Sequence, residues 1–368
     1  MRNRVGVDKT FLLLIFGLLS FGLVMVFSSS AVATGSTSTF FRQVIFMAFG
    51  LAVMLVTMRV DYRYFGSKPI ILVMLAVTYI LLLGALASPP INNANRWLVI
   101  GPFRAQPSEL AKLVAILFTS YFFARYQDSE PNRREAFTYC AILGSILGLI
   151  LVQPDFGTAA CIVFIAAVLL FLSGLRLRYF AVVLLASVPS FYLLVYRVPY
   201  RRDRILSFLN PEADPLGTGY QIRQSLIAIG SGGPGGRGFA QGNQKLSFLP
   251  EAHNDFIFSI IGEELGLIGA TVLVGLILLF FWKGVKISLR SDTRFGSLVG
   301  LGIVVMIVTQ ALVNISVAMG LLPTKGIPLP FISAGGSSLL VTLASVGILL
   351  NISAHSRNPT DTPWYAGG

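Results

Sequence analysis

The sequence predicts an all-α polytopic membrane protein. Ten transmembrane helices are expected, with both termini cytoplasmic and a large extracytoplasmic loop between helices 7 and 8. Three observations predict it. Hydrophobic residues make up 55% of the 368-residue chain and charged residues only 12%, about half the charged share of an average soluble domain. The apolar residues come in blocks of about 20, enough to cross a hydrocarbon core of roughly 30 Å, and the alternating segments of roughly 10 residues that mark an outer-membrane barrel are missing. Lys and Arg gather in alternate loops, as they do on the cytoplasmic side.

The spans fall at about 10–29, 40–58, 69–87, 108–124, 136–152, 156–173, 180–196, 255–281, 296–319 and 331–353. The first follows the basic start MRNRVGVDK and precedes SSSAVATGS, which has the look of a signal-peptide cleavage site. It is read as a retained helix because the later spans then orient consistently. The loops RVDYRYFGSK, ARYQDSEPNRRE, SGLRLR and FWKGVKISLRSDTR go inside with both termini. Sixteen Lys/Arg then lie inside and twelve outside, seven of the twelve in the loop 197–254. The net charge of +12 would suggest nucleic acid on a soluble chain; here it reports orientation, and no nucleic-acid partner is expected. Cys140 and Cys161 fall inside apolar spans, so neither a disulfide framework nor a metal-ligand spacing is present.

One membrane domain is expected over 1–355, with 197–254 as its large extracytoplasmic loop. Residues 356–368 are expected to be a short cytoplasmic tail, and the sequence leaves open whether its last residues are native. The outer face is the elaborate one. It carries SPPINNANRWLVIGPFRAQP after span 3, nearly 60 residues after span 7, and GLLPTKGIPLPF after span 9. Loops this long are functional or disordered, and the longest has enough apolar content, including a short helix QIRQSLIAIG, to pack on the outer surface. GSGGPGGRG lacks the P-loop lysine pattern, so its glycines are read as turn formers.

Several charged residues stand at the outer ends of spans. Asp255 opens span 8 and is suited either to capping that helix or to acting as a general base in a partly dry site. His253 is its neighbour. Glu109 and Lys112 share a face of span 4 at i, i+3; they are an ordinary first-turn glutamate with a snorkelling lysine, or a pair facing a wet cavity. Asp155, in QPDFG, suits the cap of span 6. Glu263 and Glu264 lie deeper in span 8, as buried anchors or as a relay. Arg96, Arg104, Arg201, Arg202, Arg204, Arg223, Arg237, Lys245 and Lys325 make the outer face basic. That suits an anionic head group, above all a phosphate held bidentately by Arg, or a solvated loop paired with its own carboxylates. Two histidines in the whole chain, and a SAGGSS stretch without a G-x-S-x-G elbow, make a Ser–His–Asp triad a poor fit.

The stretches NANRWLVIGPFRAQPSELAK, QPDFGTA, SFLNPEADPLGTGYQIRQSLIAIGSGG, GRGFAQGNQKLSFLPEAHNDFIFSIIGEELGLIGA and GLLPTKGIPLPFISAGGSSLL closely resemble the SEDS (shape, elongation, division and sporulation) family of membrane peptidoglycan glycosyltransferases, across nearly the whole chain. The resemblance implies polymerisation of lipid II with inversion and release of undecaprenyl diphosphate, in the bacterial cytoplasmic membrane with the active site outward. It puts the family's essential aspartate on Asp255 and its Glu–Lys pair on Glu109 and Lys112. Arg96, Arg202, Arg204, Arg223 and Lys325, with Asp155 and His253, are the candidates for holding substrate and diphosphate. No cofactor is evident; a divalent cation, Mg or Mn, is compatible with the step, although no ligand cluster demands it. The implied partner is a class B penicillin-binding protein, a transpeptidase. IAIGSGGPGGRGF and the lack of long terminal extensions point to the elongation branch, RodA-like. The alternatives are an FtsW-like division polymerase and a lipid II flippase. FISAGGSS departs from the family, which more often has Tyr before the two glycines, and GSGGPGGRG has Pro where a bulky apolar residue is common.

Overall fold

The structure is a computed structural model. It describes residues 6–32, 37–91, 94–101, 103–126, 131–174, 199–210, 217–245, 249 and 253–356. Nine of the ten expected spans fall within these residues; span 7, at 180–196, lies outside them.

The helices are α1 (Lys9–Val26), α2 (Ser38–Arg59), α3 (Lys68–Ala87), α4 (Pro107–Phe123), α5 (Arg133–Val152), α6 (Phe156–Leu172), α7 (Pro199–Leu209), α8 (Thr218–Gly232), α9 (Ile257–Leu289), α10 (Arg294–Ala318) and α11 (Gly336–Ala354). A π-helical turn, Phe27–Val32, extends α1, and a 3₁₀ turn, Tyr62–Gly66, links α2 to α3. Among the described residues, seven helices have the length and apolarity to cross a membrane: α1, α2, α3, α5, α9, α10 and α11. The apolar α6 has 17 residues and falls short of that length; α4, also 17 residues, carries a buried ion pair. The outer loop after α3 holds a small antiparallel hairpin, β1 (Leu98–Ile100) on β2 (Phe103–Ala105), so the chain is not all-α as expected.

In lipid, apolar side chains gain little by leaving their surroundings, so helices associate through close packing and hydrogen bonds. α2 lies along α11 in this way. A Cβ on Gly347 would sit 2.5 Å from the Met54 oxygen, and Thr57 Oγ1 crosses to the Ala344 oxygen at 3.1 Å. The outward faces stay apolar, as with Leu13, Phe49, Ile80 and Leu267, while α10 and α11 form the centre.

Each end of the bundle is tied by polar contacts. At one end, Tyr62 OH donates to Asp292 Oδ1 at 2.5 Å, Arg63 pairs with the same carboxylate, and Asn351 accepts from Tyr62 N at 2.9 Å. At the other end lie the N-termini of α4, α6, α9 and α11 and the loop 319–335.

Span 8 departs from its expected form. It runs to Leu289 and breaks at Gly266, where φ is 64° and ψ −161°. The glycine-rich segment after α8 fills the break. Leu267 N and Ile268 N donate to the Gly233 and Pro234 oxygens, while Arg237 N and Gly238 N donate to the Glu263 and Glu264 oxygens, all at 2.9–3.2 Å. The backbone groups freed by the break are thus re-satisfied inside the protein, as a membrane requires. The glycines expected to make turns also provide clearance: a Cβ on Gly236 would lie 2.2 Å from the Glu264 oxygen.

Candidate active site

Asp255 stands in the turn 253–256 just before α9. The cap position falls to Phe256, one residue later than expected, and that residue offers no side-chain acceptor. The turn is held instead by its neighbours. Asn314 Nδ2, from α10, donates to the Asp255 and Ile327 oxygens, both at 2.9 Å. Ser333 Oγ donates to the Asn254 oxygen at 2.6 Å and accepts from Leu329 N at 2.8 Å, and Ala334 N donates to the His253 oxygen at 3.0 Å. The Asp255 carboxylate lies against the 319–335 loop: an atom at the Cβ position of Gly326 would be 3.5 Å from Oδ2. Asp255 and His253 are half-buried.

A second carboxylate set adjoins this loop. Asp155 caps α6 as expected, its Oδ1 accepting from Thr158 N at 3.2 Å. Its Oδ2 accepts from Ser108 Oγ at 2.7 Å and Gln106 Nε2 at 2.8 Å, which fixes the start of α4 against α6. Gln106 N donates to Ser337 Oγ, in the first turn of α11, at 3.0 Å. One turn into α4, Lys112 Nζ meets Glu109 Oε1 at 2.9 Å. Both side chains are buried, 3% and 5% exposed, so Lys112 does not snorkel. Lys325 closes the set, its ammonium 5.3 Å from the ring of Phe156, the first residue of α6. Four helix N-termini therefore converge on this end, each with a partial positive charge.

The predicted cations separate. Lys325 is next to Gly326 in sequence and half-buried, and burial pushes its ammonium below the ordinary lysine range. Arg204, on α7, reaches the same loop, Nη1 donating to the Thr324 oxygen at 3.1 Å. Arg96 is half-buried, with a sequestered Nε that has no hydrogen-bond partner. Arg202 is exposed and pairs with Asp203 at 3.6 Å, and Arg223 is exposed on α8. Neither joins the hydrogen-bonded set around Asp255, because their helices turn them to the surface. The Arg201 side chain lies outside the described residues.

Glu263 and Glu264 prove to be anchors. Glu264 is fully buried, with Lys245 Nζ at 2.5 Å and Ser28 Oγ, from the turn extending α1, at 2.7 Å. It also accepts from Ala240 N at 3.0 Å. Glu263 accepts from Asn243 N at 2.8 Å and lies 3.7 Å from the Arg237 guanidinium. Lys245, counted among the outer cations, is therefore spent within the fold. Among the described residues no three His, Cys, Asp or Glu side chains cluster as a metal set.

Sequence reasoning missed Asn314, Ser333 and Ser108. Asn314 left a signal, since an amide within an apolar span is costly and marks a bundle interior or a site. The two serines left none.

The family profile described as "cell cycle protein" (FtsW/RodA/SpoVE) matches residues 9–358. The chain belongs to this family. A "probable peptidoglycan glycosyltransferase FtsW" of Geobacter metallireducens is 43% identical over 358 residues, covering 95% of both chains. The stage V sporulation protein E of Bacillus subtilis is 40% identical over 362 residues, covering 96% of this chain and 99% of that one. Among solved structures, a chain of a peptidoglycan synthase complex that coordinates polymerisation and crosslinking superposes with a TM-score of 0.79 at 28% identity, covering 95% of this chain and 98% of that one. The Thermus thermophilus rod shape-determining protein RodA superposes at 0.71 and 26%, covering 95% and 97%. This FtsW/RodA/SpoVE member is a peptidoglycan glycosyltransferase of the bacterial membrane. The elongation-branch expectation is revised, since these curated relatives carry the FtsW and SpoVE names and support the division alternative better. The glycine-rich stretch that suggested elongation serves, in the structure, to fill the break in α9.

Proposed function

We propose that this glycosyltransferase polymerises lipid II at the extracytoplasmic surface in the division branch, with Asp255 as general base. The observation that carries this reading is the Asp255 carboxylate lying against Gly326, next to Lys325, at the meeting of four helix N-termini. The step needs a base for the acceptor hydroxyl and a cation for the leaving group, and the 319–335 loop that touches Asp255 also carries Lys325. The acceptor GlcNAc 4-hydroxyl attacks C1 of the donor MurNAc, its proton passes to Asp255, and the C1–O bond to the diphosphate breaks with inversion. Charge growing on undecaprenyl diphosphate is met by Lys325, with Arg204 behind it, and by the helix N-termini. Glu109–Lys112 and Asp155 shape the floor of the site. Among the described residues no three His, Cys, Asp or Glu side chains are grouped to hold Mg or Mn.

Ten spans with both termini cytoplasmic would put Asp255 outside, and the basic loops at the opposite end of the bundle support that orientation. A class B penicillin-binding protein, crosslinking what this chain polymerises, is the partner the reading requires. Purified with that partner and given lipid II, the wild type is expected to make glycan strands and Asp255→Asn none, with folding and partner binding intact. Full-length polymer from Asp255→Asn would remove the base. Head-group translocation in liposomes without polymerisation would instead support a flippase. Depletion in the native host is expected to block septation, whereas rounding would favour elongation.

A further inference from the structure

The end of the bundle opposite Asp255 contains a cavity of about 220 Å³, lined in part by Asp8, Trp282, Lys283, Lys286, Arg290 and Ser353. Lys283 lies 28 residues beyond Asp255 on the α9 side, roughly 40 Å away at the rise of a helix, so this is a separate place. The volume is below the ~300 Å³ at which drug-sized ligand sites begin and suits a small head group.

Its charge is unbalanced. Lys283, Lys286 and Arg290 follow at i, i+3 and i+7 on one face, where like charges repel. Asp8 is the cavity's one carboxylate among the lining residues, and it is already engaged. Its Oδ1 accepts from Phe11 N at 2.9 Å, and the same atom lies 3.5 Å from Lys283 Nζ. Among the described residues no carboxylate lies within ion-pair distance of Lys286 or Arg290. Lys286 sits over the Trp282 ring at 5.0 Å, and Trp282 is largely exposed at the last turns of a membrane helix, where an indole settles at head-group level.

We propose that this cavity binds the phosphate of an anionic phospholipid, with Arg290 and Lys286 on the phosphate and Trp282 beside the glycerol. Arg forks onto two phosphate oxygens and Lys adds a point charge. The acyl chains then lie along the outward apolar face of α9, where Leu278 and Phe281 are exposed.

The full chain in mild detergent is titrated separately with dioleoyl phosphatidylglycerol, dioleoyl phosphatidylcholine and inorganic phosphate, and bound molecules are counted by native mass spectrometry. Phosphatidylglycerol is expected to be retained at about thirtyfold lower concentration than phosphatidylcholine, the scale two juxtamembrane cations supply. The double variant Lys286→Gln, Arg290→Gln is expected to lose that preference. Lys286→Arg is expected to keep it, as is Lys68→Gln, which removes a cation from the same end outside the cavity. Equal retention of both lipids, or an undiminished preference in the double variant, overturns the proposal. Inorganic phosphate binding that the double variant abolishes, without any lipid preference, overturns it in favour of a free anion.

Discussion

Asn314 Nδ2 donates to the main-chain oxygen of Asp255 at 2.9 Å while the same amide nitrogen holds the Ile327 oxygen, also at 2.9 Å. One buried side chain thus sets the spacing between the proposed base and the loop carrying Lys325. Replacing it with Leu removes both bonds, each worth about 1 kcal/mol net. The expected result is a fall in kcat of about tenfold to hundredfold with a smaller change in KM, read from lipid II polymerisation. An unchanged kcat would show that the turn holds its shape without Asn314.

Glu109 and Lys112 form a buried pair. Breaking either side alone leaves an uncompensated charge, at a cost of about 3–5 kcal/mol. Glu109→Gln and Lys112→Met are each expected to lower the melting temperature and activity, and the double variant to be less impaired than the sum of the singles. A thermal-shift and activity double-mutant cycle checks this; strict additivity would mean that the two side chains act separately.

Lys245 and Glu264 form a fully buried pair too. Lys245→Met is expected to destabilise by about 3–5 kcal/mol and to loosen the loop after α8, detected as faster proteolysis near Arg237. Lys245→Met with Glu264→Leu is expected to recover much of the stability, because paired apolar replacements need no compensation.

Gly266→Ala tests the break in α9. The left-handed backbone costs a side chain about 1–3 kcal/mol, and the new Cβ would lie 2.3 Å from Gly236 N. A marked drop in melting temperature is expected, whereas Gly275→Ala, where a Cβ meets nothing within 4 Å, is expected to be neutral.

Lys325 gives a pH prediction. Burial lowers its pKa, so its charge is lost below the pH at which an ordinary lysine loses it. Polymerisation is expected to fall as pH rises through that lowered pKa, and Lys325→Arg to keep activity at higher pH. For stability the sign is opposite: the unfolded chain holds the proton more tightly, so Lys325 contributes stability above its unfolded pKa that is lost as pH falls through the folded one. Among the other cations, Arg204→Ala is expected to impair polymerisation more than Arg202→Ala or Arg223→Ala, whose side chains point away.

Membrane-spanning character, the family and the candidates Asp255, Glu109, Lys112 and Asp155 were legible along the chain. Each rests on a local property. A span must satisfy its own backbone in lipid, so length and apolarity mark it wherever it lies. A helix cap or an i, i+3 pair needs only a few adjacent residues, although even here the α9 cap fell one residue from Asp255. What had no local mark was partnership. Ser28 and Glu264 are 236 residues apart, Ser108 and Asp155 are 47 apart, and Ser333 reaches Asn254 across 79. The fates of the cations were hidden for the same reason. Lys245, Lys325, Arg204 and Arg223 read alike as basic residues of loops expected outside, yet one is buried against Glu264, one lies in the loop that touches Asp255, one donates to that loop and one is exposed. Which helix faces meet, and which backbone gaps a distant glycine loop must fill, is settled by packing among elements far apart in the chain, and desolvation then acts on whatever charge that packing encloses.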